Sequence, residues 1–396
     1  MTGIRRSVMA ILAAVLPVHL TTAEDASASR SSPADAVLRP AVGAIRWDAW
    51  FGNRGSVGEA VHRSLGPGKW HDRLPFYAKV LGDDKVEIDG TPQSVIDREI
   101  EYAANAGLAY WAFVTYPPDH ELSLALKRYL SSPIRTKLDF CLITECGRWH
   151  DRAFVERIVA LMREPGYQHT PDGRPLLYLG FIDETGVKAL GGVAGFRKVV
   201  NGLRETVAAR GLPKPYIVIM DFDPRQGRKW MDILGCDAIS AYAAGIENAV
   251  ISYRRLADNA EQFWERCRST GAQVVPTVMA GWDPRPRTEH PMPWGNPYGI
   301  HDGQVDRSEP ATAAAIADHL GNGLRWMAEH RDAAPARTAL IYAWNEFDEG
   351  GWLTPTLSEG TVRLDAIAGV LRPMSTSAPA SRYAPDSPLR SAAPGR

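Results

Sequence analysis

Asn345, Glu346, Asp348 and Glu349 stand directly behind an apolar run, 341–344, in the segment IYAWNEFDEGGW. Carboxyl side chains accept and donate protons, and two whose pKa values are held apart can serve as base and acid on one bond. A straight strand turns residues three apart to opposite faces. Glu346 and Glu349 can therefore share a site only if the chain bends after Glu346, and Gly350-Gly351 permits that bend. The same residues would equally solvate an exposed turn, because charged side chains are common before glycine there. The segment alone does not decide between the two.

What must position these residues is legible upstream. Eight short, nearly continuous apolar runs read as strands: 43–50, 108–116, 138–144, 175–181, 215–221, 237–244, 273–281 and 338–344. Such runs are expected of parallel strands covered on both faces. Amphipathic segments alternate with them. In TPQSVIDREIEYAANAG, Thr91 is the expected cap, Pro92 opens the first turn, Val95, Ile96, Ile100 and Ala103 share a side, and Gly107 stops the helix. DRAFVERIVALMREPG, VAGFRKVVNGLRETVAARG, AVISYRRLADNAEQFWERCRSTG, EPATAAAIADHLGNGLRWMAEH and TVRLDAIAGVLRP read the same way. Eight strands alternating with helices predict an α/β fold, a single (β/α)8 TIM barrel over residues 41–373, with a doubly wound open sheet as the alternative.

Barrel sites form where strands end at their C-terminal edge. The expected strands end in Trp47, Asp48 and Trp50; Tyr116; Glu145; Asp183 and Glu184; Asp221 and Asp223; Tyr242; Trp282 and Asp283; and Asn345 with Glu346. The strand starts carry no comparable set. Carboxylates mixed with indole and phenol rings fit hydrolysis of a glycosidic bond, in which one carboxyl protonates the leaving oxygen and a second is base or nucleophile. Glu346 and Glu349 are two of the candidate carboxyls. Trp47, Asp48, Trp50, Tyr116, Glu145, Tyr242, Trp282, Asp283, Asn345 and Trp352 are the expected substrate contacts. A variant pairs Glu346 with Asp48, Glu145 or Asp283 across the barrel mouth. Plainer roles compete: Asp48 as an ion-pair partner of Arg46, Asp221 and Asp223 as turn and helix-cap residues before Pro224, and Arg73, Asp97 and Arg98 in solubility or barrel ion pairs. Metal-dependent hydrolysis would bring His ligands, and the histidines are scattered without an H-x-H or H-E-x-x-H pattern. A cation held by carboxylates alone stays open.

Composition bounds the rest. The chain has 396 residues, 45% of them apolar, and a formal net charge of −1, which suits a substantial core and gives no footprint for nucleic acid or an acidic membrane. Twelve tryptophans serve either packing or stacking on sugar rings. Arg5 and Arg6, the short apolar stretch 8–20 and Thr21-Thr22-Ala23 read as a cleavable export signal over residues 1–23, too short for a membrane span. The Arg pair leaves a twin-arginine route open. Residues 24–40 read as a flexible lead-in, and the Pro/Ser/Ala-rich residues 374–396 as a tail that builds no core. Cys141, Cys146, Cys236 and Cys267 form no C-x-x-C and are expected as buried free thiols. The expectation is a secreted or periplasmic monomer with a carbohydrate substrate and no cofactor, no metal, no nucleic-acid partner and no membrane span.

AWNEFDEGGWLTPT resembles the N-E-W-x-E-G segment on the last strand of glycoside hydrolase family 99 and of the related WbsX-like, family 71/99-like proteins. WDAWFGN is similar to their aromatic-rich first strand, and VIDREIEYAANAGLAYWAFVTY to their first helix and second strand. LDFCLITECGRWHD and YQHTPDGRPLLYLG match the third strand and the turn before the fourth, so the resemblance runs in order over most of residues 43–356. It implies a (β/α)8 barrel and a retaining, endo-acting α-mannosidase or α-mannanase without a metal. It further implies that Glu346 is a base on the sugar 2-hydroxyl, giving a 1,2-anhydro intermediate, and that Glu349 is the acid that later activates water, its proton retained through burial or neighbouring charge. Asn345 and Trp47 would shape the sugar subsite. Phe347 replaces the motif's Trp, Asp348 adds a carboxylate, and Thr144-Glu145-Cys146-Gly147 stands where the WbsX-like proteins have Asn-Glu. The same residues would also serve a carbohydrate-binding barrel without turnover, or glycosyl transfer to a sugar acceptor.

Overall fold

A computed structural model describes residues 40–246, 250–295, 298–301 and 303–372. The expected export signal, the lead-in before Pro40 and the C-terminal tail lie outside the described residues. Eight parallel passages form the sheet: β1 Ala41–Arg46, β2 Tyr110–Val114, β3 Asp139–Glu145, β4 Leu176–Gly180, β5 Tyr216–Met220, β6 Ala238–Ser240, β7 in two halves, Gln273–Val274 and Thr277–Met279, and β8 Thr338–Tyr342. Each coincides with one of the eight apolar runs. The sequences YWAFV, LLYLG, YIVIM and TALIY are buried at every position, as strands covered on both faces must be.

The two halves of β7 decide the topology. Gln273 pairs with Ala238 of β6, and Thr277 pairs with Leu340 of β8. These halves are the two ends of the strand order, yet only Val275 and Pro276 separate them. Val275 N–H donates to Ile239 and the Pro276 carbonyl accepts from Leu340, at 3.0 and 2.9 Å. One chain passage thus bridges both edges, and the sheet closes into an eight-stranded barrel. This excludes the open doubly wound sheet.

Helices pack outside, and their starts follow local chemistry. Asp151 caps helix Arg152–Leu161, Ser252 caps Tyr253–Ser269, and Thr312 caps Ala313–Glu329, each accepting a backbone N–H. Asp223 caps Pro224–Leu234 through Arg225 N–H, and Asp221 accepts from Asp223 N–H; both are the turn and cap residues expected. Thr91 is not a cap. Its N–H is bonded to Asp89, Pro92 takes the cap position with extended backbone, and the helix runs Gln93–Ala106 before Gly107 ends it at φ 88°. The four cysteines are free; Cys141, Cys146 and Cys267 are buried, whereas Cys236 is only half-buried. Among the described residues no helix is long and apolar enough to cross a membrane.

Candidate active site

Beyond β8 the chain makes the bend the two glutamates require. Asn345 and Glu346 pair antiparallel with Trp352 and Gly351, and Phe347–Glu349 forms a single 3-10 turn between them. Gly350 closes the turn at φ 81°, where a Cβ would also overlap the backbone of Asp283. That close approach lets Asp283 N–H donate to the Glu349 carbonyl at 2.6 Å and ties the β7 loop to the turn. Both carboxyls consequently open into one cavity of about 720 Å³ at the C-terminal barrel mouth.

Arg287, on helix Arg285–Glu289, organises the carboxylates. Its Nη2 donates to Glu346 Oε2 at 2.9 Å and its Nη1 to Glu349 Oε1. Its Nε lies 2.8 Å from Asp348 Oδ2, a close ion pair rather than an aligned hydrogen bond. The guanidinium also sits over the Trp47 ring, 4.6 Å from its centroid. Tyrosines complete the shell: Tyr242 donates to Glu346 Oε1 at 2.8 Å, Tyr298 to Glu349 Oε1 and Tyr342 to Glu349 Oε2. Asp348 is fully buried, accepts from Ser64 at 3.2 Å and does not line the cavity.

Three carboxyls thus face one guanidinium with little solvent. Burial first, and the Glu349 charge next, push the Glu346 carboxyl up to about 8, while Arg287 pulls the other way. Tyr242 and Tyr342 are pushed well above the ordinary phenol value by burial and then by the two glutamates. Among the described residues no three His, Cys, Asp or Glu side chains are arranged to hold a metal ion; the space between these carboxylates is filled by Arg287.

Of the expected contacts, Trp47, Tyr116, Glu145, Tyr242 and Trp282 line the cavity with Glu346 and Glu349. Glu145 pairs with Arg148 at 2.8 Å, and Trp47 Nε1 donates to Tyr116 at 2.9 Å. Five others do not line it. Asp48 is drawn under the site by Arg46, at 2.9 Å, with burial raising its carboxyl to about 6. Arg46 also binds Glu99, which accepts from Trp344. Asn345 spends its side chain on Trp47 N–H and Asp48, and its carbonyl accepts from Trp50. Asp283 is held by Arg73 and Arg285, the Arg73 pair being one of the barrel ion pairs expected. Trp352 packs beneath Arg363, 3.9 Å from its ring centroid. These five side chains brace the ends of β1, β7 and β8 instead of facing substrate. Sequence reasoning missed Arg287, Tyr298, Trp294, Arg148 and the ring of Phe222, all of them cavity-lining. The WDPRPRTEH loop carries no spacing signal for Arg287; the excess of carboxylates at strand ends was the one hint that a cation had to be near.

Fold and site together define an eight-stranded α/β barrel with a buried carboxylate pair at its C-terminal mouth. No protein-family model and no curated protein matches the chain. Among solved structures it is similar to the family 99 endo-α-mannosidase from Bacteroides thetaiotaomicron in complex with BIS-TRIS-Propane. That match has 14% identity, covers 83% of this chain and 95% of that one, and has a TM-score of 0.51. A further structure of the family 99 endo-α-mannosidase from Bacteroides thetaiotaomicron matches at 12% identity over 80% of this chain and 88% of that one, with a TM-score of 0.48. At these identities the likeness is one of fold.

Proposed function

We propose that the chain is a glycoside hydrolase with a carbohydrate substrate and with Glu346 and Glu349 as its catalytic carboxyls. The observation that carries this reading is the single bend that turns two buried glutamates, three residues apart, into one cavity walled by indole and phenol rings. A carboxylate whose conjugate acid sits near about 8 is a stronger base than an ordinary glutamate, which supports Glu346 as the group that takes the proton of a sugar 2-hydroxyl. The roles implied by the family 99 resemblance then follow in order. O2 attacks C1 to form a 1,2-anhydro sugar as the C1–O bond to the leaving group breaks, and the departing oxygen takes the proton of Glu349. Glu349 next accepts a proton from water as that water opens the anhydro ring at C1, and Glu346 returns its proton to O2. Configuration is retained. Both the resemblance and the fold shared with an endo-α-mannosidase support an α-mannoside as the sugar. The basic, apolar N-terminal run supports an exported enzyme, whose mature form would start after Ala23 by intact mass.

Product mapping by mass spectrometry on a glycan panel, with and without a chelator, tests the proposal. The parent should release oligosaccharides in both conditions, and folded Glu349→Gln should lose at least about a thousandfold in rate, the scale of combined acid–base and positioning effects. Parent-like rates in that variant would remove Glu349 from the reaction. Loss of activity with chelator would place a metal in it instead.

A further inference from the structure

The hollow space does not end at the catalytic carboxyls. Beside them, over the ends of β4 and β5, lies a second hollow of about 280 Å³, floored by Met220 and walled by Phe181, Asp183, Asp221, Phe222 and Tyr242. Phe181, Phe222 and Tyr242 line both spaces. Tyr242 is also the residue whose hydroxyl donates to Glu346 at 2.8 Å, so the second hollow begins one side chain from the reacting centre.

Its walls are unlike ordinary surface. The strands below are wholly buried, yet Phe181 is 45% exposed and Phe222 60% exposed at their ends. Phe181 holds φ 52°, a left-handed conformation that is costly for a side chain of this kind. Asp183 and Asp221 are each fixed through one oxygen by a backbone N–H, of Gly186 and of Asp223 at 2.6 and 2.9 Å. A fixed carboxylate keeps further lone pairs for hydroxyl donors. Apolar ring faces beside rigid acceptors match a pyranose, whose C–H face stacks while its hydroxyls donate. Among the described residues no Lys or Arg lines this hollow, in contrast to the main cavity with Arg148 and Arg287, which disfavours a uronate, sulfate or phosphate group. The volume falls just below the range of about 300–1,000 Å³ typical of small-molecule sites, room for one sugar unit.

We infer that this hollow is a second sugar subsite, which holds one neutral hexose of a longer chain whose scissile bond lies at Glu346 and Glu349. The inference rests on the glycoside hydrolase reading for the location of that bond, and on the hollow itself for the extra unit. The substrate is then an oligosaccharide or polysaccharide rather than a simple glycoside.

The test is calorimetric titration of the parent, Phe222→Ala and Phe222→Trp with mannose and then α-linked manno-oligosaccharides of increasing length, with turnover measured in parallel. Phe222→Ala should bind the longer members about tenfold more weakly, the scale of one lost aromatic face, and the shortest with a smaller loss, since Phe222 also borders the main cavity. Phe222→Trp should bind like the parent. Equal affinities of parent and Phe222→Ala at every length would overturn the subsite, as would an equal loss at every length or no binding by the parent. Length-dependent loss without turnover would leave the subsite standing and remove the hydrolase reading. Turnover with no effect of Phe222 would do the reverse.

Discussion

Replacing Glu346 by Gln should make the protein more stable, by an amount that grows as pH rises from about 4.5 to about 8. The parent's Glu346 carboxyl moves from an ordinary 4.5 in the unfolded chain to about 8 in the fold. Between those values the folded state keeps a proton that the unfolded chain has released. Parent stability therefore falls as pH rises through this window, and the full deficit is in place above about 8. A shift of about 3.5 units at about 1.36 kcal/mol each bounds that deficit at about 5 kcal/mol. Gln does not titrate, so the variant escapes it. The variant also loses the Arg287–Glu346 ion pair, but at pH 5 the parent carboxyl is already protonated, so that loss enters only where the parent is ionised and is part of the same difference. For a barrel of roughly 330 ordered residues the unfolding entropy is about 0.7 kcal/mol/K, so about 5 kcal/mol corresponds to about 7 °C. Melting curves of both proteins at pH 5 and pH 9 measure it. The variant should gain several degrees on the parent at pH 9 relative to pH 5. A gap identical at the two pH values would mean that Glu346 carries no extra proton in the fold, and the account of it as a strengthened base would fail with it.

Other outcomes follow from the same cluster. Since kcat/KM reports the free enzyme, its acid-side limb should fall near pH 8, and Tyr242→Phe, which removes a donor favouring the Glu346 anion, should move that limb to higher pH. Arg287→Met should cut activity by about a hundredfold or more and lower the melting temperature most at alkaline pH, because it leaves buried carboxylates without their cation. Arg287→Lys should rescue little, since one ammonium cannot reproduce a fork that engages three carboxyls; pH-dependent melting and rates check both. Gly350→Ala should cost about 2 kcal/mol or more by denaturant unfolding, from its left-handed backbone and the overlap with Asp283.

The eight strands were legible because a buried parallel strand needs an unbroken apolar run; their closure was not, since it rests on the two halves of β7 pairing with β6 and with β8. Strand ends were less secure: the runs 43–50 and 237–244 continue past the ladder of β1 and β6, since loop residues buried at the mouth are as apolar as the strand below. Thr91 shows the limit of capping patterns. Thr before Pro fits the rule, but Pro92 stays outside the helical conformation and takes the cap position itself, so the helix starts at Gln93 and Thr91 lies one residue too early. The site split along a similar line. Trp47, Tyr116, Tyr242, Trp282 and both glutamates reach the cavity. Asp48, Trp50, Asp283, Asn345 and Trp352 have the same residue types at the same strand ends, yet arginines or backbone groups from elsewhere claim them.

Those arginines are the part a linear reading could not supply. Arg46, Arg73, Arg287 and Arg363 are each at most about one-twentieth exposed, and their partners are mostly far along the chain, as Arg46 with Glu99 or Arg73 with Asp283. Burying a guanidinium is expensive unless its donors are met by carboxylates and carbonyls in good geometry. The number of acids at strand ends thus encodes the number of cations required, but not their addresses. Asp48, Asp283 and Asp348 each neutralise an arginine and recede from the cavity. Glu346 and Glu349 share one arginine with Asp348, so the cluster holds more negative charge than its cation balances. Burial first, and that imbalance next, raise the Glu346 carboxyl to about 8 at the mouth of this barrel.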